Sequence, residues 1–391
     1  MKLLFSVPTG YHFRELILPL HSHLKADSSI TEVHIVTPAA SIASEIFTGF
    51  GSKFFYHENP ADDAGHRELF ASIKPDVVIT DTVGHDALDE PILRIGKEME
   101  VHTLTFIASW DNVWKIDRLI ASGIKIAIPD RFTVWNQMMK QHLMRTFPDV
   151  AEDRIAVIGA PRLDYFSQTE KILSKEEIYH TLGFEDVSRP LIHVGTTELY
   201  PMDYIARAIR EGVDTGAITG NPYLYASVHP GGAVERYKKF EEYGFTVRRA
   251  PGRNESISVN AFKYAPTEHD IFFQIGVFTH ANVLINHSST VALESIITGV
   301  PVINVLYGMP FDWWKWHRCM VVRDFKEHYK DLVSDGATYV VRSKKELIQA
   351  TTDALQHPHA KDAARDITVK KMITTTDGTA GKKVLEYIKA I

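Results

Sequence analysis

The stretch Val283–Val305, which reads VLINHSSTVALESIITGVPVINV, decides the fold that the sequence predicts. A short apolar run ends at Asn286, the polar group His287–Thr290 follows, and a helical pattern then continues to Thr298. Gly299 ends that pattern, because glycine is the usual residue after a helix, and the next apolar run has the character of a strand. The stretch therefore predicts a strand–loop–helix–strand unit.

Small hydroxyl residues stand where the helix of this unit begins. Such an end offers free backbone N–H groups and a partial positive charge, which together suit a phosphate. Ser288 or Ser289 alone would be explained equally well as a helix cap. Two serines followed by Thr290 exceed what one cap needs, and Thr290 shares a helix face with Glu294, four residues later. We therefore predict a phosphate at the helix end and a ribose hydroxyl on the Glu294 carboxylate.

The composition predicts an ordinary globular protein. The 391 residues suffice for two domains, with 45% apolar and 24% charged residues. A net charge of −6 has the wrong sign for a nucleic-acid-binding surface. The one cysteine, Cys319, excludes an intramolecular disulfide framework, and no run approaches the length of a membrane span. We expect a cytoplasmic protein, and we leave open a peripheral contact with the inner face of the cell membrane.

Short apolar runs alternate with helical patterns along the whole chain. The predicted strands are Leu3–Val7, Val33–Val36, Val77–Thr80, Thr103–Ile107, Phe132–Val134, Ile155–Ile158, Leu191–Val194, Tyr223–Val228, Thr246–Val247, Val283–Ile285 and Val302–Val305. In the first half, the predicted helices lie near 14–24, 40–49, 63–73, 86–99 and 136–146. Such alternation predicts an α/β protein with two Rossmann-like domains. We place these domains at residues 1–165 and 166–375, followed by a closing helix at residues 376–391.

Polar residues that follow the strands of the first half are the candidate catalytic residues, because ligands of parallel sheets collect at the carboxyl ends of the strands. Gly10 permits a tight turn, and His12 is either a general base or a surface or capping histidine. Asp81 and Asp111 also follow strands, although an aspartate there is more often a turn or cap residue. We favour Asp111, because Trp110 beside it offers an apolar platform for a sugar ring.

The second half carries candidate ligand-binding residues after two further strands. Gly195 and Thr196 follow one strand, where a glycine lets backbone N–H groups approach a ligand. His229 follows another, and Pro230 restrains it to an extended conformation. A simple turn histidine is the alternative. Two strand ends with phosphate-type donors in one sheet, His229 and Ser288–Ser289, make a phosphate site more probable than either would alone.

The segment Met309–His317 contains three tryptophans and a phenylalanine next to two cationic side chains. It could form a sugar platform, an interfacial contact, a lid or packing between domains. We slightly prefer the packing interpretation, because buried aromatic residues are common in such contacts.

Taken together, the two halves and these motifs resemble GT-B glycosyltransferases. Gly10 and His12, separated here by Tyr11, resemble the N-terminal loop of inverting members, in which a histidine is the catalytic base. His229–Pro230 with Ser288–Ser289 is similar to the His-Pro and Ser-Ser motifs of members that use cytidine-nucleotide donors. Those members are bacterial sialyltransferases, Kdo transferases and CDP-glycerol glycerophosphotransferases. The segments 109–112 and 158–164 look like parts of surface-polysaccharide biosynthesis proteins.

The resemblance implies two domains facing a cleft and a metal-independent, inverting transfer of a sugar. The donor would be a nucleotide sugar, with a cytidine type such as CMP-Kdo favoured and a UDP-sugar as the other option. The acceptor would be a hydroxyl of a bacterial cell-envelope glycan or glycolipid. No cofactor is implied beyond this co-substrate. The alternatives are a CDP-glycerol-type polyol-phosphate transferase, a nucleotide-sugar epimerase, which would need a carboxylate-rich cleft, and a non-catalytic small-molecule binder.

The implied roles follow the positions of the motifs. The catalytic base would be His12 or Asp111. The residues expected to bind the donor are Gly195, Thr196, His229, Pro230, Ser288, Ser289, Thr290 and Glu294. Among them the histidine, the two serines and the helix end would stabilise the departing phosphate by preorganised electrostatics.

Overall fold

A computed structural model describes residues 1–83 and 89–391, and it divides into two compact units. The N-terminal unit consists of Met1–Ser167, Asn254–Pro266 and Lys371–Ile391, and the C-terminal unit consists of Gln168–Arg253 and Thr267–Lys370. Each unit contains one parallel sheet with helices, so the predicted α/β class and the two Rossmann-like domains are confirmed. Residues 254–266, which the predicted boundaries place in the second domain, pack in the N-terminal unit.

The described part of the N-terminal unit contains a seven-stranded parallel sheet in the order β3-β2-β1-β4-β5-β6-β7. Its strands are β1 (Lys2–Ser6), β2 (Glu32–Thr37), β3 (Phe54–Glu58), β4 (Val77–Asp81), β5 (His102–Phe106), β6 (Arg131–Val134) and β7 (Ile155–Val157). The described helices between β1 and β7 are α1 (Gly10–His12), α2 (Leu18–Ala26), α3 (Ala40–Ile46), α4 (Asp63–Ile73), α5 (Asp89–Glu98), α6 (Asn112–Ala121) and α7 (Gln137–Thr146). The first residues of the helix predicted at 86–99 lie outside the described residues, as do Gly84 and His85.

The predicted helix near 14–24 is helical in the structure but is not one regular α-helix. A π-helical stretch, Phe13–Ile17, joins α1 to α2. Pro19 stands at the start of α2, where its lack of an N–H to donate to the preceding turn is tolerated. The helix begins earlier than predicted, at Gly10, which packs so closely on Tyr264 that an added Cβ would fall on the Tyr264 carbonyl oxygen.

The C-terminal unit contains, among its described residues, a six-stranded parallel sheet in the order β10-β9-β8-β11-β12-β13. Its strands are β8 (Leu191–Gly195), β9 (Tyr223–Val228), β10 (Phe245–Arg249), β11 (Val283–Asn286), β12 (Val302–Val305) and β13 (Tyr339–Val341). Its helices are α8 (Lys175–Leu182), α9 (Asp203–Asp214), α10 (Lys239–Glu242), α11 (Glu268–His280), α12 (Val291–Ile297), α13 (Trp313–Arg318), α14 (Met320–Asp324), α15 (Tyr329–Ser334) and α16 (Lys344–Gln356). The next helix, α17 (Asp362–Ile373), begins in this unit, and its last three residues belong to the N-terminal unit. Within residues 1–83 and 89–391, the 3₁₀ turns are Thr48–Phe50, Glu152–Arg154, Pro161–Ser167, Thr169–Lys171, Val234–Tyr237 and Asn260–Phe262.

The strand–loop–helix–strand unit predicted from Val283–Val305 is confirmed. It forms β11, α12 and β12, and Gly299 ends the helix with a φ of +80°. Along residues 1–83 and 89–391, no helix combines the length and the apolar character that crossing a bilayer requires.

The last helix of the chain, α18 (Ala380–Lys389), packs in the N-terminal unit. Its apolar face is buried, with Val384, Leu385 and Ile388 in the same core cluster as residues of β1 and β2. The Asp164 carboxylate accepts hydrogen bonds from the backbone N–H groups of Ala380 (3.2 Å) and Gly381 (2.7 Å). These bonds satisfy two of the donors that an α-helix leaves free at its N-terminus.

We expect Asp164→Ala to loosen α18. The loss of this capping carboxylate costs about 1–2 kcal/mol, which corresponds to roughly fivefold to thirtyfold faster amide hydrogen exchange in Ala380–Lys389 if exchange follows local opening. The control is Asp366→Ala, which removes an exposed aspartate from α17. Unchanged exchange in α18 of the Asp164 variant would contradict the assigned role.

Candidate functional site

A cavity opens at the carboxyl ends of β8, β9 and β11 in the C-terminal unit and encloses about 500 Å³, part of it open to solvent. The predicted donor-binding residues that line it are Gly195, Thr196, His229, Pro230 and Ser289. The other three, Ser288, Thr290 and Glu294, do not line it. The Glu294 side chain is buried, and its predicted contact with a ribose stays a prediction.

The loop after β9 fixes the position and the tautomer of His229. The Thr196 hydroxyl oxygen accepts a hydrogen bond from the His229 backbone N–H (2.9 Å), which ties this loop to the end of β8. The Gly231 backbone N–H donates to the ring nitrogen Nδ1 of His229 (3.0 Å). Because desolvation by the surrounding protein lowers the pKa of the ring, His229 is neutral at pH 7. A neutral ring that accepts at Nδ1 carries its proton at Nε2, so the exposed side chain offers an N–H donor.

The two serines after β11 have different environments. The Ser288 hydroxyl donates to the Asp324 carboxylate (2.9 Å) and is buried. Ser289 lines the cavity, and its hydroxyl makes no hydrogen bond with any residue that the structure describes. The cap position of α12 belongs to Thr290, which makes no capping bond through its side chain. Neither serine therefore caps α12 through its hydroxyl, and Ser289 has a donor available for a ligand.

The interior of the cavity contains a buried histidine that the sequence analysis did not assign. His193, in the middle of β8, is 1% exposed and lies between the rings of Tyr225 (centroids 5.0 Å apart) and Phe278 (5.8 Å). Burial lowers its pKa to about 3, so the ring is neutral. Its Nε2 is 2.7 Å from the Ser227 hydroxyl, and its Nδ1 has no hydrogen-bond partner among the described residues. A histidine within an apolar strand was the signal available in the sequence.

In the N-terminal unit, the structure brings His12 together with Asp81. Their side chains are mostly buried, and Nε2 of the ring lies 3.5 Å from Oδ2 of the carboxylate. The Thr9 hydroxyl is 2.7 Å from Nδ1 of His12, and the Thr82 hydroxyl donates to Oδ1 of Asp81 (2.8 Å). An imidazole and a carboxylate held at this distance can take up and release one proton as a pair.

Asp111, the carboxylate that the sequence analysis favoured, has local partners. It lies 2.9 Å from the Lys115 ammonium and accepts a hydrogen bond from the Ser109 hydroxyl (2.5 Å). Trp110 is 3% exposed, so the expectation that it presents a platform to a sugar ring is wrong. The geometry therefore favours Asp81 over Asp111 as the carboxylate that acts with His12.

One group of side chains has the composition of a metal site. Polar atoms of Asp324, Glu327 and His328 lie within 4.8 Å of one another. Arg323 lies 3.3 Å from the Asp324 carboxylate and 3.7 Å from that of Glu327, so a cation already compensates these charges. The expectation that the reaction needs no metal stays a prediction.

No known family's sequence profile matches the chain, and no curated protein matches it either. Solved structures do match over its whole length. The UDP-GlcNAc 2-epimerase of Neisseria meningitidis bound to UDP-GlcNAc has a TM-score of 0.69 at 14% identity, with 100% of both chains covered. The UDP-GlcNAc 2-epimerase of Methanocaldococcus jannaschii has a TM-score of 0.65 at 14% identity, again with 100% of both chains covered.

A glycosyltransferase of Rickettsia africae has a TM-score of 0.60 at 13% identity, covering 100% of this chain and 98% of the other. Identities this low establish the fold alone. The chain therefore shares the two-domain α/β fold of these solved structures, which is the GT-B type of fold that the sequence motifs predicted.

Proposed function

We propose that the chain is an enzyme that binds a nucleotide sugar in the cavity of the C-terminal unit and transfers the sugar to an acceptor hydroxyl. The observation that carries the proposal is that one cavity combines hydrogen-bond donors with an apolar interior. Ser289 and His229 offer hydrogen-bond donors at its opening, and an apolar interior holds the neutral His193. A nucleoside diphosphate has the same division into an anionic part and a flat, weakly polar base.

The opening of the cavity suits the diphosphate. The Ser289 hydroxyl and the Nε2–H of His229 are donors, and hydrogen bonds to charged oxygens are the stronger kind. Both donors are uncharged, so they hold a leaving phosphate by directed dipoles in a partly enclosed site, where such dipoles are more effective than in water.

The interior suits the base. The rings of Tyr225 and Phe278 flank His193 and offer apolar surface, and the His193 ring can receive a hydrogen bond at Nδ1 when Nε2 donates to Ser227. An N–H on the edge of a pyrimidine would supply that bond. It would also satisfy a buried polar atom that has no partner among the described residues.

The proposed reaction is a direct displacement. The acceptor oxygen forms a bond to the anomeric carbon, and the bond from that carbon to the phosphate oxygen breaks with its electron pair on the phosphate. The acceptor proton passes to the His12–Asp81 pair, which gives it up to solvent after the products leave. This reaction inverts the configuration at the anomeric carbon.

Uridine nucleotides are the first donors to test, because the N. meningitidis structure contains UDP-GlcNAc and a Staphylococcus aureus MnaA structure contains UDP. The cytidine donor favoured by the His-Pro and Ser-Ser motifs, such as CMP-Kdo, is the second. A hydroxyl of a cell-envelope glycan or glycolipid is the proposed acceptor.

An epimerase is the second candidate, and the likeness to two UDP-GlcNAc 2-epimerases favours it. Inversion at a sugar carbon needs no acceptor and removes a proton from carbon. Incubation with UDP-GlcNAc in D₂O without an acceptor distinguishes the two reactions. Deuterium in the sugar ring would identify an epimerase, whereas a transferase leaves the ring protons in place.

A melting-temperature screen against UDP, CDP, CMP and GDP tests the donor site. A ligand that binds only the folded chain stabilises it by about 2.7 kcal/mol at a hundredfold excess over Kd. We expect UDP or a cytidine nucleotide to raise the melting temperature and GDP to do so less, because the larger purine fits the interior less well. No rise with any nucleotide would refute the proposal.

Ser289→Ala tests the phosphate contact. Loss of a hydrogen bond to a charged oxygen costs about 1.5–3 kcal/mol, so we expect roughly tenfold or greater weakening of nucleotide binding in calorimetry. Ser295→Ala is the matched control, because Ser295 is buried on α12 and does not line the cavity. Equal Kd values for nucleotide binding by the two variants would show that Ser289 is not part of the binding site.

Asp81→Asn tests the base. We expect kcat to fall by about 10²–10⁴, with nucleotide affinity little changed, because the pair takes up the proton and the donor binds in the C-terminal unit. In Asp111→Asn, whose carboxylate already has partners in Ser109 and Lys115, we expect a change in kcat of less than about tenfold. The reverse order of the two effects would make Asp111 the base.

A further inference from the structure

The exposed residues of the segment 310–330 are all apolar or basic. They are Pro310, Phe311, Trp313, Trp314, Lys315, His317, Arg318, Met320, Lys326 and Lys330, and we call them the basic–aromatic surface. Phe311 is fully exposed, and Trp313 and Trp314 are 66% and 60% exposed. The preferred interpretation of the aromatic residues as packing between domains therefore holds for none of these three. Trp316 alone among the tryptophans of this segment is buried, and it packs on Tyr200 within the C-terminal unit (centroids 5.0 Å apart).

The acidic residues of the same segment are less exposed than its cations, although the Asp312 carboxylate lies 3.9 Å from the Lys315 ammonium. Asp312 accepts a hydrogen bond from the Tyr200 hydroxyl (3.0 Å), and Asp324 is buried beside Ser288. Glu327 is partly buried and lies 3.7 Å from Arg323. A positive surface thus stands on a chain whose net charge is −6.

The surface is rigidly supported. Gly308 contacts Trp316 so closely that an added Cβ would lie 2.8 Å from the Trp316 Cβ. This close contact positions α13, and exposed side chains that are one helical turn apart contact each other in pairs. The Arg318 guanidinium lies 3.9 Å from the ring centre of Trp314, and the ring of Trp313 lies 4.7 Å from that of His317.

We propose that the basic–aromatic surface docks on a membrane that carries anionic lipid head groups. Tryptophan side chains favour the boundary between head groups and acyl chains, and lysine and arginine beside them pair with anionic lipids. A bilayer surface is the partner that uses both features at once.

Other occupants fit the surface less well. Two copies of the chain related by a twofold axis would place these cations opposite one another, which is repulsive. A neutral glycan would gain from carboxylates or amides beside the tryptophans, and the exposed residues of the segment include neither.

The proposal does not depend on the nucleotide site. The segment begins five residues after the carboxyl end of β12, and the donor cavity opens at the carboxyl ends of the neighbouring strands of the same sheet. The basic–aromatic surface therefore comes directly after the edge of the sheet at which the cavity opens. A membrane contact here would bring the donor site to the bilayer surface, where a lipid-linked acceptor would lie.

Sedimentation of the full chain with vesicles tests the proposal. We expect binding to vesicles of equal parts phosphatidylglycerol and phosphatidylcholine, and much weaker binding to phosphatidylcholine alone or in high salt. Lys315→Ala with Arg318→Ala should lower the partition coefficient roughly thirtyfold, at about fivefold per cation. Trp313→Ala with Trp314→Ala should lower it about tenfold or more.

The matched control removes two exposed apolar side chains elsewhere, Ile124→Ala with Ile367→Ala, and should change the partition less than about twofold. Circular dichroism melts check that each variant is folded. No binding of the wild type to anionic vesicles, or equal binding by the tryptophan variant, would overturn the proposal. So would a dimer in lipid-free sedimentation that the tryptophan substitutions abolish, because the occupant would then be a second copy.

Discussion

The candidate site depends on a close approach between the end of β8 and the start of α12. A Cβ added to Gly195 would lie 3.2 Å from a methyl group of Val291, so a larger residue would push the two elements apart. This approach keeps Ser289, which precedes the helix, at the same cavity as Thr196. The hydrogen bond from the His229 backbone to Thr196 then brings the loop after β9 to that cavity as well. The lack of a side chain at Gly195 and the hydrogen bond between His229 and Thr196 therefore bring together three loops from distant parts of the sequence.

Two histidines of this site are neutral because desolvation lowers the pKa of each ring, and each neutral state has a consequence. His193 lies among aromatic rings, where a charge would lose its water, so it remains an uncharged ring at any physiological pH. His229 is exposed but accepts a backbone N–H at Nδ1, which fixes the proton at Nε2. The site therefore offers donors and acceptors of fixed direction without a fixed charge. The negative charge of a bound diphosphate would be stabilised by dipoles, and release of the product would not require a salt bridge to break.

The sequence predicted the parts of the fold in which local signals agree. In Val283–Val305 the apolar periodicity, the hydroxyl residues and Gly299 all indicate the same unit, and the structure contains it. The strands β3 and β13 were missed. Each is an edge strand with one buried residue, but so are β7 and β10, which were predicted, so low burial alone does not explain the difference.

Local patterns also could not decide which carboxylate faces His12, since that depends on the order of β1 and β4 in the sheet. His193 was not predicted as a site residue for a related reason. Within an apolar strand a histidine looks like core, and only the packing of α11 against β8 and β9 shows that it borders a cavity.

The loop that carries Ser289 and the support of the basic–aromatic surface belong to one hydrogen-bonded framework. The Tyr329 hydroxyl donates to the Ser289 carbonyl oxygen (3.2 Å), and the Ser288 hydroxyl donates to Asp324 at the end of α14. The Asn304 side chain of β12 donates to both Asn286 (2.6 Å) and the Tyr329 hydroxyl (3.1 Å). These groups are buried and several of them share more than one hydrogen bond, so the framework resists local rearrangement. The helices that follow the exposed tryptophans are thus hydrogen-bonded to the same residues that position Ser289, whose hydroxyl is the proposed phosphate contact.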